Sequence, residues 1–364
     1  MHPVNRKELS SQTIKIAVIR GDGIGVEVVE EGLKVLSAVA DRISLGLEFT
    51  EFPWGSNHYF ETGAMMPASS LETLADFDAI YLGAVGHPEI HDHITLNELL
   101  LPIRRRFDQY VCLRPNTLFP GIESPLRAAG PWDIDITIVR ENTEGEYANV
   151  GGIQFKNQSN EMGVQAGVFT RKGCERVIRY AFELARERGS KKPVTSITKS
   201  NAQGFGMVVW DRAFDRIAAE FSDVPARSLL VDAAAMEFVR RPGDFGVVVG
   251  SNLFGDILSD LAAIITGSIG LAASGNINPT GEHPSMFEPV HGSAPDIAGQ
   301  GLANPMAAIL SAAMMMDHLG QAVEAESIRK AVLAVVEEGT VLPPDMGGTA
   351  SASQTGDAIV AALK

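Results

Sequence analysis

The stretch Ile14-Lys15-Ile16-Ala17-Val18-Ile19-Arg20-Gly21-Asp22-Gly23-Ile24-Gly25 decides the fold class. A short apolar run closed by glycines reads as a buried strand over 14–19 that ends in a tight turn. After the turn, Val28, Val29, Leu33, Leu36 and Val39 recur at helical spacing, so a helix follows the strand. The same rhythm runs on through the chain. Residues 78–85 read as a strand closed by Gly86 and Pro88, and 135–139 as another. Val177, Ile178, Ala181, Leu184 and Ala185 make one face of a helix after Gly173, 194–198 is β-prone, and 245–250 is a strand with a helix from Phe254 onward. Strands alternating with helices predict a largely parallel α/β architecture. Residues 151–167 break the rhythm. They are polar, with Asn157, Ser159, Asn160 and Glu161 between weakly β-prone flanks, and read as a protruding hairpin or arm.

Composition narrows the function classes. The 364 residues exceed what one compact core usually holds, so two lobes are expected. A hydrophobic fraction of 45% argues against disorder. The net charge of -15 repels phosphate backbones, which argues against a nucleic-acid partner; an anionic substrate would need a local basic cluster. Cys112 and Cys174 form no CxxC or metal spacing and read as reduced thiols of a cytoplasmic protein. Residues 1–12 are polar and hold no apolar signal core. The apolar tract at 306–316 is too short to span a bilayer and ends at Asp317, so no membrane contact is expected.

The basic cluster is present. Arg104, Arg105 and Arg106 run together, followed by Arg114-Pro115, and Arg140 ends the strand before Glu141-Asn142-Thr143-Glu144-Gly145-Glu146-Tyr147. The planar guanidinium fork matches the two oxygens of a carboxylate. Arg105 and Arg106 read equally well as a solvated helix face. Tyr147 is a candidate proton donor, or a packing residue. In Asn252-Leu253-Phe254-Gly255-Asp256-Ile257-Leu258-Ser259-Asp260, two carboxylates four residues apart share a helix face. Their repulsion is relieved by a cation, and oxygen-only ligands favour Mg2+ or Mn2+. Asp232, ending the apolar run Leu229-Leu230-Val231, is a third candidate ligand. Lys199, in Thr198-Lys199-Ser200-Asn201, is a candidate base, because a lysine beside a metal ion and other cations gives up its proton more readily.

The last constellation is Glu288-Pro289-Val290-His291-Gly292-Ser293-Ala294-Pro295-Asp296. A glycine- and proline-bounded loop of this kind can wrap an adenine or pyrophosphate. Asp296 would accept from both ribose hydroxyls of NAD and repel the 2′-phosphate of NADP. The Gly21 to Gly25 turn lacks the G-x-G-x-x-G spacing and is no Rossmann fingerprint.

In this joint order the motifs resemble the β-decarboxylating dehydrogenases, the isocitrate/isopropylmalate dehydrogenase family that includes the homoisocitrate, D-malate and tartrate enzymes. The resemblance covers nearly the whole chain, about 14–361. It implies an isopropylmalate-dehydrogenase-like, non-Rossmann α/β fold of two domains. The large cofactor-binding domain would be discontinuous, 1–106 and 264–364. The small dimerisation domain would be 107–263, with an intertwined arm at about 151–167. It further implies that Arg104, Arg114 and Arg140 hold the substrate carboxylates. Asp256 and Asp260 would bind the metal with Asp232 of the second chain, and Lys199 of that chain would be the base. Tyr147 would donate a proton to the enolate. Asn201 would face the nicotinamide, and His291, Gly292, Ala294, Asp296 and Asn304 would hold the adenosine of NAD. A homodimer with shared active sites follows, with K+ as a further cation. A catalytically silent regulatory subunit is the competing class; it would lack one of the three arginines, the lysine, the tyrosine or a carboxylate, and all are present.

The motifs Lys199-Ser200-Asn201, Ser251-Asn252-Leu253, Asn276-Ile277-Asn278-Pro279 and Asp92-His93-Ile94-Thr95-Leu96 are most similar to the tartrate and D-malate group. That group usually carries Trp-Gly after this leucine, where the present chain has Asn97-Glu98. Asn97 is therefore a candidate substrate contact. Leu100 and Leu101 could instead pack an isopropyl group, which makes 3-isopropylmalate, or another 3-substituted malate, the alternative substrate.

Overall fold

The structure is a computed structural model that describes residues 13–364; the polar stretch 1–12 lies outside the described residues. The chain opens with β1 (Ile14–Gly21), α1 (Gly25–Ile43), β2 (Leu47–Glu51), α2 (Ser56–Thr62), α3 (Ser70–Leu74) and β3 (Ala79–Ala84). It continues through α4 (Asp92–Thr95), a π-helical turn over Leu96–Leu100, α5 (Leu101–Arg106), β4 (Val111–Thr117) and β5 (Asp135–Glu141). The hairpin β6 (Gly145–Gln154) and β7 (Met162–Val168) precedes α6 (Arg171–Glu187) and β8 (Val194–Thr198). Next come α7 (Gly206–Glu220), β9 (Ala226–Leu230), α8 (Val231–Arg240), β10 (Val247–Gly250) and α9 (Asn252–Ile265). The last elements are β11 (Ala273–Ile277), β12 (Ser285–Pro289), α10 (Met306–His318), α11 (Ala322–Glu338) and α12 (Ala352–Ala362).

Ten strands form one sheet in the order β2-β1-β3-β12-β11-β4-β5-β10-β8-β9. The expected parallel pairing holds on both flanks, β2-β1-β3-β12 and β5-β10-β8-β9. It fails at the centre, where β11 runs antiparallel to β12 and β4, and β4 antiparallel to β5. The sheet is therefore mixed. The loop 278–284 between β11 and β12 is too short for a crossover helix, so those strands can pair only antiparallel. Because β12 arrives late in the chain and docks beside β3, the first flank is discontinuous in sequence.

Strand β1 is buried on both faces, which explains its unbroken apolar run. Ile14, Ile16 and Val18 enter one hydrophobic cluster, while Ala17 and Ile19 enter a second with Trp54, Leu82, Leu99, Ile103 and Phe107. The 306–316 tract is the body of α10, buried on all sides against α1, α11, β11 and β12. A helix apolar all round is what an interior position demands. Among the described residues no helix is long and apolar enough to cross a membrane. Cys112 and Cys174 are free and buried.

Two glycine positions correct or sharpen the sequence reading. Gly173 lies inside α6, not before it, and a Cβ there would sit 2.3 Å from the Glu144 carboxylate. Gly23 has φ +55 and a Cβ on it would lie 2.0 Å from the Ser293 carbonyl oxygen, which accepts from Ile24 N at 2.8 Å. The glycine turn is thus shaped by close approach to the loop that carries His291 and Asp296. The arm is a β-hairpin: β6 and β7 pair antiparallel, and Val150, Ile153, Phe155, Met162 and Val164 stand exposed on it.

Candidate active site

The carboxyl ends of the parallel strands β5, β10, β8 and β9 present, in sheet order, Arg140, Asn252, Lys199 and Asp232. This is the edge at which open α/β sheets bind ligands. The antiparallel β4 brings Arg114 beside Arg140's strand, and α5 brings Arg104 from the other flank.

The three arginines are buried, at 4%, 6% and 2% exposure for Arg104, Arg114 and Arg140. Buried cations need counter-charges. Arg114 Nη1 donates to Asp256 Oδ1 at 3.0 Å and to Ser259 Oγ at 2.6 Å. Arg140 also donates to Asp256 Oδ1, and its Nε and Nη2 reach Asn252 Oδ1 at 3.1 and 2.8 Å. Arg104 Nη2 donates to Glu288 Oε1 at 2.8 Å. The Nε atoms of Arg104 and Arg114 are buried with no partner among the described residues. Two unmet cationic donors in one acidic protein form a place for an anion.

Tyr147 completes the cluster. Its hydroxyl donates to Asp256 Oδ2 at 2.9 Å, and the Arg140 guanidinium lies 5.2 Å from its ring centre. Burial and the adjacent Asp256 charge raise the phenol above its ordinary pKa, so it rests as a proton donor. Burial opposes ionisation of Asp256, but the charges of Arg140 and Arg114 outweigh it and hold the carboxyl below its usual range. Asp256 is therefore an anion, on the same helix as the exposed Asp260 one turn on.

Lys199 and Asp232 form a separate pair. Lys199 Nζ donates to Asp232 Oδ1 at 2.7 Å, with the aspartate side chain 60% exposed. Among the described residues no three His, Cys, Asp or Glu side chains converge so as to hold a metal ion. One chain therefore joins Asp256 to the arginines and Tyr147, and leaves Lys199, Asp232 and the exposed Asn201 facing outward.

The cofactor candidates lie beyond β12. His291 Nδ1 donates to Gly292 O at 3.0 Å, and its buried Nε2 has no partner among the described residues. Burial pushes the imidazole below its ordinary pKa, so it is neutral near pH 7. Ala294 has φ +38, a strained conformation typical of a ligand loop. Asp296 and Gly292 are exposed. Asn304 Nδ2 donates to Asp345 Oδ2 at 3.0 Å, and Met306 N donates to Asn304 Oδ1 at 3.0 Å. An unmet buried imidazole nitrogen and an exposed carboxylate five residues on in the same loop fit the adenosine end of a dinucleotide. The oxygen-only pair Asp256 and Asp260 fits part of the ligand set of a hard divalent cation.

Asn97 stands apart from the arginines. It lies in the π-helical turn, its Nδ2 donates to His93 O at 2.7 Å, and its Oδ1 is buried without a partner among the described residues. Other participants escaped the sequence reading. Arg105, one of two arginines that read equally well as a solvated face, donates from Nη2 to the Tyr147 carbonyl at 2.6 Å. Ser259 and Glu288 serve Arg114 and Arg104. The only local signal was an acidic residue closing the apolar strand end Met286-Phe287.

The family model for isocitrate/isopropylmalate dehydrogenase matches residues 15–360. The chain belongs to that family. It is accordingly an oxidoreductase acting on a CH–OH group. Its relatives include a tartrate dehydrogenase/decarboxylase of Pseudomonas putida and a decarboxylating D-malate dehydrogenase of Escherichia coli, each 48% identical over 96% of this chain and 98% of the relative. A 3-isopropylmalate dehydrogenase of Thermobifida fusca is 50% identical over the same shares. Among solved structures, the isocitrate dehydrogenase of Methylococcus capsulatus superposes with a TM-score of 0.87 at 34% identity, covering 96% of this chain and 99% of that one.

Proposed function

We propose that the protein oxidises and β-decarboxylates a small 2-hydroxy dicarboxylic acid, D-malate or tartrate, with NAD and Mn2+ or Mg2+, as a homodimer with shared active sites. The observation that carries this reading is the Asp256 carboxylate, gripped by Arg114, Arg140 and the Tyr147 hydroxyl on a helix that also bears Asp260.

The arginines act first. A dicarboxylate entering the cluster meets the unmet Nε donors of Arg104 and Arg114 and competes with Asp256 for Arg140. Binding there positions the reacting carbons before chemistry. Asp256 and Asp260, with Asp232 of a second chain, would hold the divalent cation, which when bound polarises the hydroxyl and stabilises developing oxyanion charge. His291, Gly292, Ala294, Asp296 and Asn304 would hold NAD, with Asn201 toward its nicotinamide, and NAD held there would supply the hydride acceptor. Lys199 of the second chain receives the hydroxyl proton, directly or through water. After loss of the carboxylate β to the new ketone, Tyr147 returns a proton to carbon. Its raised pKa keeps that proton in place until the enolate forms.

Two parts of the architecture support the dimer. Met236 and Val239 of α8 and Ile257 and Ile264 of α9 are exposed, as are the apolar residues of the arm. Burying such a face in a second copy is favourable by roughly 25 cal/mol per Å2. The break in sequence of the first flank supports the division into 1–106 with 264–364 and 107–263.

The substrate choice rests on the segment before Arg104. Leu99 and Leu101 are withdrawn, at 0% and 3% exposure, and Leu100 packs against the second cluster. The unmet polar atom there is Asn97 Oδ1, which suits a hydroxyl substituent better than an isopropyl group. The Thermobifida fusca relative keeps 3-isopropylmalate as the second reading.

The deciding experiment is NADH formation by purified protein with Mn2+ and K+ against D-malate, the tartrate isomers, 3-isopropylmalate and isocitrate. Turnover on D-malate or a tartrate is expected. Preference for 3-isopropylmalate would assign the leucines to the pocket and overturn the substrate choice.

A further inference from the structure

Helix α9 carries both candidate metal carboxylates, and its first turn is capped in an unusual way. Ser251 occupies the N-cap position, but its side chain accepts no hydrogen bond from the helix. Its Oγ donates instead to Glu146 Oε1 at 2.8 Å, and the backbone N of Leu253 donates to Glu146 Oε2 at 3.1 Å. A carboxylate from β6 thus does what an N-cap side chain normally does, and places negative charge at the positive end of the helix. The adjacent residue on β6 is Tyr147, whose hydroxyl reaches Asp256 Oδ2 in the second turn of the same helix. Asn252 Nδ2 donates to the Glu144 carbonyl at 3.2 Å, and a Cβ on Gly145 would lie 3.3 Å from Asn252 Cβ. Three consecutive residues of β6 therefore fix where α9 begins along the strand.

We propose that Glu146 is a positioning residue for the metal and proton-donor groups. By holding Ser251 and Leu253 it sets the axial position of α9 against β6, and so the separation between Tyr147 and the carboxylates of Asp256 and Asp260. Glu146 neither lies in the arginine cluster nor reaches the adenosine loop. Its influence runs through the helix. This rests on the assignment of Asp256 and Asp260 to the metal.

The test uses the full-length protein with Glu146→Gln alone and with Ser251→Asp added. An aspartate at the N-cap restores the helix cap from within the helix, but not the tie to the strand of Tyr147. Mn2+ affinity is measured from the electron paramagnetic resonance signal of free Mn2+, alongside NAD affinity, thermal midpoint and kcat. For E146Q the expected result is Mn2+ affinity weakened by roughly 10- to 100-fold, as for other residues that orient metal ligands, with NAD affinity unchanged. In the double variant the thermal midpoint recovers while Mn2+ affinity and kcat stay low. Unchanged Mn2+ affinity in E146Q, or full recovery of affinity and kcat in the double variant, overturns the proposal. If the unmodified protein shows no Mn2+ binding, the metal assignment itself fails.

Discussion

Glu141 is buried at 2% exposure, with Thr143 N, Thr143 Oγ1 and Glu144 N donating to its carboxylate. Burial dominates over those donors and pushes the carboxyl up to about 7, from an ordinary 4.5. A carboxyl raised in the folded state holds its proton longer there than in the unfolded chain. Its stabilising effect is complete below pH 4.5 and is lost as pH rises to about 7. The shift corresponds to a loss of about 3 kcal/mol across that window. Gln keeps the acceptor oxygen and cannot ionise. The Glu141→Gln variant is expected to gain stability relative to the parent between pH 5 and pH 8, read as the difference in urea midpoints. A constant difference across that range would mean that Glu141 is ionised throughout. Legibility at this scale followed locality. Asp256 and Asp260 were readable because helical spacing alone places them together. The clamp on Asp256 by Arg114, Arg140 and Tyr147 joins residues from β4, β5 and β6, and no spacing in the chain announces it.

At the scale of elements, the loop between β12 and α10 is the part whose chemistry can be moved with least damage to packing. Asp296 is exposed, and among the described residues its backbone carbonyl, not its side chain, is used internally, accepting from Gln300 Nε2 at 2.7 Å. Asp296→Lys is therefore expected to leave the thermal midpoint nearly unchanged. It should raise the NADP-to-NAD ratio of kcat/KM by about tenfold or more, the scale of one hydrogen bond to a charged group. An unchanged ratio would show that this loop does not read the ribose. The loop was legible because glycine, proline and histidine crowd together without a hydrophobic period. The π-helical turn at Leu96–Leu100 was not, since its residues are ordinary helix formers. The His93 carbonyl accepts from Asn97 Nδ2 as well as from the Leu96 backbone N, so Asn97 is partly a structural residue of its own helix. The arm was legible as an interruption of the α/β rhythm, and its exposed apolar side chains appeared only once its strands were paired.

At the scale of the molecule, the parallel flanks follow from alternating strands and helices, whereas the antiparallel centre depends on β11 returning to β4, a pairing between distant parts of the chain. The same long path decides where the chemistry is complete. One chain gathers three arginines, Tyr147, Asp256 and Asp260 at one place, and turns Lys199 and Asp232 outward as a pair. If each site draws these last two from a second chain, inactivating substitutions on opposite sides must complement. Lys199→Ala and Asp256→Asn homodimers are each expected to be inactive with D-malate or tartrate. Refolded together from an equal mixture, half of the dimers combine the two, and each of those has one site with every residue intact. Activity should then recover to roughly a quarter of the unmodified protein's, because a closed two-fold assembly carries two equivalent sites. Two different affinity tags, purified in sequence, isolate the mixed dimer and show that it formed. Mixed dimers without activity would place Lys199 and Asp256 in the same chain's site. The outward pair Lys199–Asp232 would then need to swing toward the arginines by movement within one chain.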